Sequence, residues 1–257
     1  MNTFGSIIGK DFCLDEWVNN TRRIKMPKKD MKLIWVVNEN LDRIKITKAF
    51  DKLKGFKERE IITSPYRFYD HNTEASSAEG FVKKRWGVAF NMNILNQRRK
   101  GDLFVVEDDI FPPDYAYEKL SSWAKLPSVG AATGTARSLK TGRYTTWVLI
   151  RKRLLPGHVI ESIKDQIPDF DFFDYKVSFM PEGEGIDDIH ASGTVCTYMN
   201  EEVIKDYVFV GESNLFTGQD VNFGWHITHV LKKRYLVDWN VKCGHWEKDE
   251  QGDIKRR

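Results

Sequence analysis

Dense apolar runs alternate along the chain with stretches of helical spacing. Met31–Val37 (Met-Lys-Leu-Ile-Trp-Val-Val) is nearly continuous and stops at the polar Asn38-Glu39-Asn40, which predicts a strand covered on both faces. Leu41–Leu53 then carries Ile44, Ile46, Ala49, Phe50 and Leu53 at the spacing of one helix face. Glu60–Thr63 predicts a second short strand, ended by Pro65. Glu74–Lys100 has helical character with a break expected near Gly87, and Leu103–Val106 predicts a buried strand closing on Glu107-Asp108-Asp109. Alternating β and α segments of this kind build an α/β fold, with a mainly parallel central sheet flanked by helices.

The second half is less regular. Ser128–Thr133, Thr145–Ile150 and Gly193–Met199 predict strands, while Pro168–Asp188, rich in Asp, Phe, Gly and Pro, predicts a long loop. A short helix is expected over Glu201–Lys205 and a longer one over Asp220–Lys233, with Tyr235–Trp239 and Val241–Cys243 closing the fold. The first 30 residues are polar and irregular up to Met26-Pro27-Lys28-Lys29-Asp30, which predicts an N-terminal arm over 1–30. No repeat, low-complexity tract or flexible linker divides the remainder, so 31–257 is expected to be one domain.

Composition narrows the class. In 257 residues, 41% are hydrophobic and 30% charged, enough apolar mass for a core and too much for a disordered chain. The longest apolar runs fall far short of the ~20 residues that span a bilayer. Met1–Lys10 shows no secretory-signal pattern, so the expected location is cytoplasmic. Cys13, Cys196 and Cys243 lack the paired spacing of a zinc or redox site and are expected to be buried or incidental thiols. The net charge is only +3, but basic residues are clumped at Arg98–Lys100, Arg151–Arg153, Lys232–Arg234 and Lys255–Arg257. Such clumps are either solvated surface or a phosphate-binding track.

Three places could carry chemistry. Glu107-Asp108-Asp109 puts three acids at the end of a buried strand, where mutual repulsion calls for a counter-charge. In an open α/β sheet that is also the ligand-binding edge. Carboxylate oxygens suit Mg²⁺ or Mn²⁺, which commonly bridge one or two carboxylates to a diphosphate; the alternative is an acidic turn opening a helix. Asp220, in Phe216-Thr217-Gly218-Gln219-Asp220, is either a helix cap or a general base. His245, after Cys243-Gly244, is either a surface residue or a late contribution to a metal shell.

The order of these pieces resembles the GT-A glycosyltransferases of the family-2 type, from Lys32 to Trp246. The resemblance implies that Glu107-Asp108-Asp109 is the metal and ribose motif, with Asp109 as direct metal ligand and His245 as a second. It implies that Asp220 deprotonates an acceptor hydroxyl. It places Val37, Asn38 and Glu39 in the nucleobase loop, and Asn93 at the position of a helix Asn that precedes a Gly-Asp strand, here Gly101-Asp102. Four positions depart from the pattern: Glu107 replaces Asp, Gln219 replaces Glu, Met92 replaces Arg, and Leu95 replaces Gly. Lys84 or Arg85 is the expected substitute for the missing positive charge. The implied activity is metal-dependent, inverting transfer of a hexose from a nucleotide sugar, UDP being the commonest carrier. Two acceptors fit: a surface glycan, or a hydroxymethylpyrimidine in DNA held by the basic clumps, as in compact viral enzymes of similar outline. A nucleotidyltransferase is the rival enzyme, but Val37–Leu41 lacks the Gly- and Lys-bearing phosphate loop it needs. The non-catalytic rival is a sugar- or nucleic-acid-binding module, against which stands the joint presence of Asp109, Asp220 and His245.

Overall fold

The structure is a computed structural model that describes residues 1–65, 78–137, 142–154, 173–213, 216, 218–248 and 254–256. The apolar runs found above become strands β2 (Met31–Asn38), β3 (Glu58–Ser64), β4 (Leu103–Val106), β6 (Val129–Thr135) and β11 (Cys196–Met199). All eight residues of β2 are buried, as a strand with helices on both faces requires.

The first 30 residues are not an arm. Asn2–Ile8 forms β1, the strand between β2 and β4, with Phe4 level with both Leu33 and Phe104. The apolar signal is diluted because the polar residues of β1 have dedicated partners. Thr3 Oγ1 donates to the Lys100 carbonyl at 2.9 Å, and Ser6 Oγ to the Val106 carbonyl at 2.6 Å. Gly5 leaves room for Leu95, which a Cβ would meet at 2.7 Å. Helix α1 (Leu14–Arg23) follows and buries Leu14, Trp17, Val18 and Thr21, one face of a 3.6-residue period.

The main sheet has the order β3-β2-β1-β4-β11-β6-β12-β9, where β12 is Arg234–Lys242 and β9 is Ile186–Ile189. Strands β11 and β9 run against the other six. One face is covered by α1, α2 (Arg43–Asp51) and α4 (Ala116–Ala124), which enclose Phe4, Trp17, Trp35, Phe104 and Tyr198. The other is covered by α3 (Ala78–Arg98), α5 (Glu201–Ile204) and α6 (Gln219–Trp225), around Val36, Met92, Leu95, Val105 and Phe223.

Four further expectations are corrected. Helix α3 runs unbroken through Gly87; its buried Ala89, Met92 and Leu95 outweigh the ~1 kcal/mol helix cost of one glycine. Within the expected loop 168–188, Phe173–Phe179 is strand β8, paired antiparallel with β7 (Thr146–Leu154), and β9 begins at Ile186; residues 168–172 lie outside the described residues. The Asp220–Lys233 helix changes at His226 into a π-helical turn, His226–Val230. The last two predicted strand segments are one strand, β12, followed by β13 (Gly244–Lys248). Strand β5 (Ile110–Phe111) pairs with β13, and β14 (Ile254–Arg256) lies on its other side. Among the described residues no helix is long and apolar enough to cross a membrane. The three cysteines are free and buried.

Candidate functional site

A cavity of about 550 Å³ opens where β1 and β4 end. Gly9 and Lys10 line it just past β1, Glu107 and Asp108 just past β4, Lys84 and Arg85 from α3, Thr194 from the turn before β11, and Asp220 from α6. Trp147, Val177 and Phe179 of the β7–β8 hairpin form an apolar wall. The topology explains the gathering: parallel β1 and β4 end at the same edge, and antiparallel β11 begins there.

The three acids have separate environments. Asp108 accepts from the backbone N–H groups of Gly9 and Lys10 at 2.7 and 2.6 Å, which ties the end of β1 to β4. Burial pushes its carboxyl up to about 7, against the pull of Lys10. Glu107 accepts from Thr194 Oγ1 at 2.9 Å, and burial together with the Asp109 charge raises it above the usual carboxylate range. Burial also disfavours charge on Asp109, yet the Lys10 ammonium on its Oδ2, aided by His245, holds it well below that range. His245 arrives by strand pairing: β13 runs antiparallel to β5, His245 opposite Ile110, and Trp246 N–H donates to the Asp109 carbonyl at 2.9 Å. His245 Nε2 lies 3.4 Å from Asp109 Oδ2, and Nδ1 is 3.0 Å from the Arg137 carbonyl, which fixes the ring.

Asp220 sits at the head of α6 after Gly218, whose φ of 105° is a conformation open to glycine. Asn222 straps this turn, donating from Nδ2 to the Gly218 and Phe216 carbonyls at 2.9 and 3.2 Å. Thr217 lies outside the described residues. Burial pushes the Asp220 carboxyl up to about 6, opposed by the Val221 N–H and, more distantly, Arg85, a value suited to proton acceptance near neutrality.

Other expected site residues are placed elsewhere. Val37 is in the core, Asn38 is buried and accepts from Asn40 N–H at 3.2 Å, and exposed Glu39 follows the end of β2; none of the three lines the cavity. The strand bordering the cavity is β1, so Gly9 and Lys10 stand where these residues were expected. Asn93 is a clamp between α3 and the chain before α6: its Nδ2 donates to the Phe209 carbonyl and its Oδ1 accepts from Phe209 N–H, both at 2.8 Å.

Two of the basic clumps do not flank the cavity. Arg98–Lys100 ends α3 beside the start of β4, and Arg234 starts β12, which is parallel to β6; both lie at the edge of the sheet opposite the site. Their charges are engaged: Arg99 with Glu201 at 3.3 Å, Lys100 with Glu58 at 2.8 Å, Lys233 with Glu202 at 2.6 Å and Arg234 with Asp188 at 2.7 Å. The side chains of 151–153 and 255–257 lie outside the described residues.

No protein-family model and no curated protein matches the sequence. Among solved structures, Staphylococcus aureus TarS (residues 1–349), a GT-A-type glycosyltransferase, superposes with a TM-score of 0.54 over 95% of this chain at 10% identity. The chain has a GT-A-like fold. It spans 59% of the length of that TarS structure. The viral protein A197 from STIV aligns over 99% of this chain and 93% of its own at 11% identity, with a TM-score of 0.49.

Proposed function

We propose that this chain is a glycosyltransferase that moves a hexose from a nucleotide sugar, UDP-glucose or a close analogue, to an acceptor hydroxyl with inversion. The supporting observation is that Asp220, Glu107, Asp108 and Lys10 open on one cavity, with Asp109 and His245 directly behind Lys10. A carboxylate base thus faces cations suited to a diphosphate.

The residues present fit a divalent cation. Asp109 Oδ1 is buried with no hydrogen-bond partner among the described residues, and the His245 imidazole stands beside the same carboxylate. Among the described residues no set of three or more His, Cys, Asp or Glu converges on one point. Two protein donors suffice for Mg²⁺ or Mn²⁺ shared with substrate phosphates. Asp109 and His245 would hold the ion, which when bound would neutralise charge on the leaving diphosphate.

The remaining steps belong to the chain. Lys84 and Arg85 draw the donor's phosphates to one side of the cavity. Asp220 takes the proton of the acceptor hydroxyl as its oxygen bonds to the anomeric carbon and the bond to the phosphate oxygen breaks. Trp147 and Phe179, with ring centroids 5.8 Å apart, offer a stacking wall for the acceptor. A saccharide presents the flat C–H face such a wall takes, and with the clumps at 98–100 and 232–234 at the opposite edge of the sheet it is favoured over duplex DNA.

The test measures UDP release from UDP-glucose with Mn²⁺, alone and with oligosaccharide or hydroxymethylcytosine-duplex acceptors, in wild type and Asp220→Asn. Acceptor-dependent release lost in the variant supports the assignment. Release stimulated by the duplex alone replaces the saccharide acceptor, and no release from any nucleotide sugar overturns the reading.

A further inference from the structure

The geometry points to Lys10 as the resident counter-ion of Asp109, seated where a divalent cation binds and displaced by it toward the donor's diphosphate. The ammonium and the His245 imidazole approach the same oxygen, Asp109 Oδ2, with Nε2 at 3.4 Å. A metal that bridges that oxygen and that imidazole, with Oδ1 left to turn toward it, needs the place Lys10 fills. Two cations confined at one buried carboxylate repel strongly, so occupancy by one weakens the other.

The surroundings let the side chain move while its backbone stays. The N–H groups of Gly9 and Lys10 are both pinned by Asp108. Beyond Cα lies a flexible four-carbon stem. The side chain is 16% exposed and borders the cavity that Lys84 and Arg85 also line. An ammonium leaving Asp109 moves among these cations, where an anionic diphosphate is the matching ligand. Lys10 thereby keeps a buried carboxylate compensated before the metal arrives, since removing one partner of such a pair leaves a costly lone charge. Once displaced it adds positive charge to the donor side.

Only the second half of this inference rests on the glycosyltransferase reading; the exchange at Asp109 is tested with Mn²⁺ alone. Mn²⁺ binding is followed by electron paramagnetic resonance in wild type, Lys10→Met, Lys10→Arg and Asp109→Asn. Lys10→Met should bind about tenfold more tightly than wild type. Lys10→Arg should resemble wild type, and Asp109→Asn should lose binding. In the unmodified protein, acetylation of Lys10 read by peptide mass spectrometry should rise severalfold with Mn²⁺ and fall again when UDP is added. That second measurement decides the matter if Lys10→Met does not fold. Equal or weaker Mn²⁺ binding by a folded Lys10→Met, no Mn²⁺ binding by any form, or Lys10 labelling indifferent to Mn²⁺ would each overturn the exchange. A rise that UDP does not reverse keeps the exchange and overturns the diphosphate contact.

Discussion

At the scale of single residues, the acids differ by what surrounds them, and Asp220 gives the sharpest expectations. As the base, its replacement by Asn should cost about 10²–10⁴-fold in turnover while calorimetric UDP affinity stays within a factor of a few. Turnover should climb with pH and level off above about 6, the value to which burial raises this carboxyl; a profile flat from pH 5 to 8 would remove it from the role. The same shift bears on stability. A carboxyl raised in the folded state takes up protons on folding between about 4 and 6, so its contribution falls as pH rises through that window. Asp220→Asn should therefore melt a few degrees higher than wild type at pH 7.5, with the difference vanishing near pH 4, as scanning calorimetry would show. Asn93 belongs to the other kind of residue. Asn93→Ala leaves the Phe209 N–H without its partner and should cost about 1–3 kcal/mol in urea unfolding, with KM for the donor unchanged.

At the scale of elements, the site depends on close backbone approach. A Cβ on Gly224 of α6 would fall on the His190 carbonyl, and lie 2.8 Å from the Cα of Ala191 in β10 (Ala191–Ser192). Neither atom is the free end of a side chain, so Gly224→Ala should destabilise by about 2–3 kcal/mol; a variant as stable as wild type would mean that α6 sits farther from β10. Elements marked by continuous apolar runs, such as β2 and β4, were legible in the sequence because burial on both faces leaves no room for polar residues. β1 was not, because Thr3 and Ser6 reach neighbouring carbonyls and Gly5 yields space to Leu95. Such compensation comes from partners about 100 positions away and is invisible locally. The same miss hid Gly9 and Lys10, which line the cavity where Asn38 and Glu39 do not. The acid cluster, Asp220 and His245 were legible because each follows a clear element boundary, whereas Trp147, Val177 and Phe179 lie on a hairpin half hidden in an apparent loop.

At the scale of the whole molecule, the N-terminal segment is structural. Deleting residues 1–10 removes the strand joining β2 to β4, and circular dichroism should show loss of the cooperative folded state; a truncated chain with native melting would contradict the placement of β1. Charge is also distributed at this scale. The clumps at Arg98–Lys100 and Lys232–Arg234 form ion pairs on the edge away from the cavity, so salt should affect donor turnover little through them.

The position of β1 has a consequence during synthesis. Gly5 pairs with Ile34 on one side and with Val105 on the other. At typical elongation rates of about 5–20 residues per second, roughly 5–20 s separate the emergence of β1 from that of its second neighbour. Throughout that interval the nascent chain carries an unpaired strand edge that the finished protein places in the middle of its sheet.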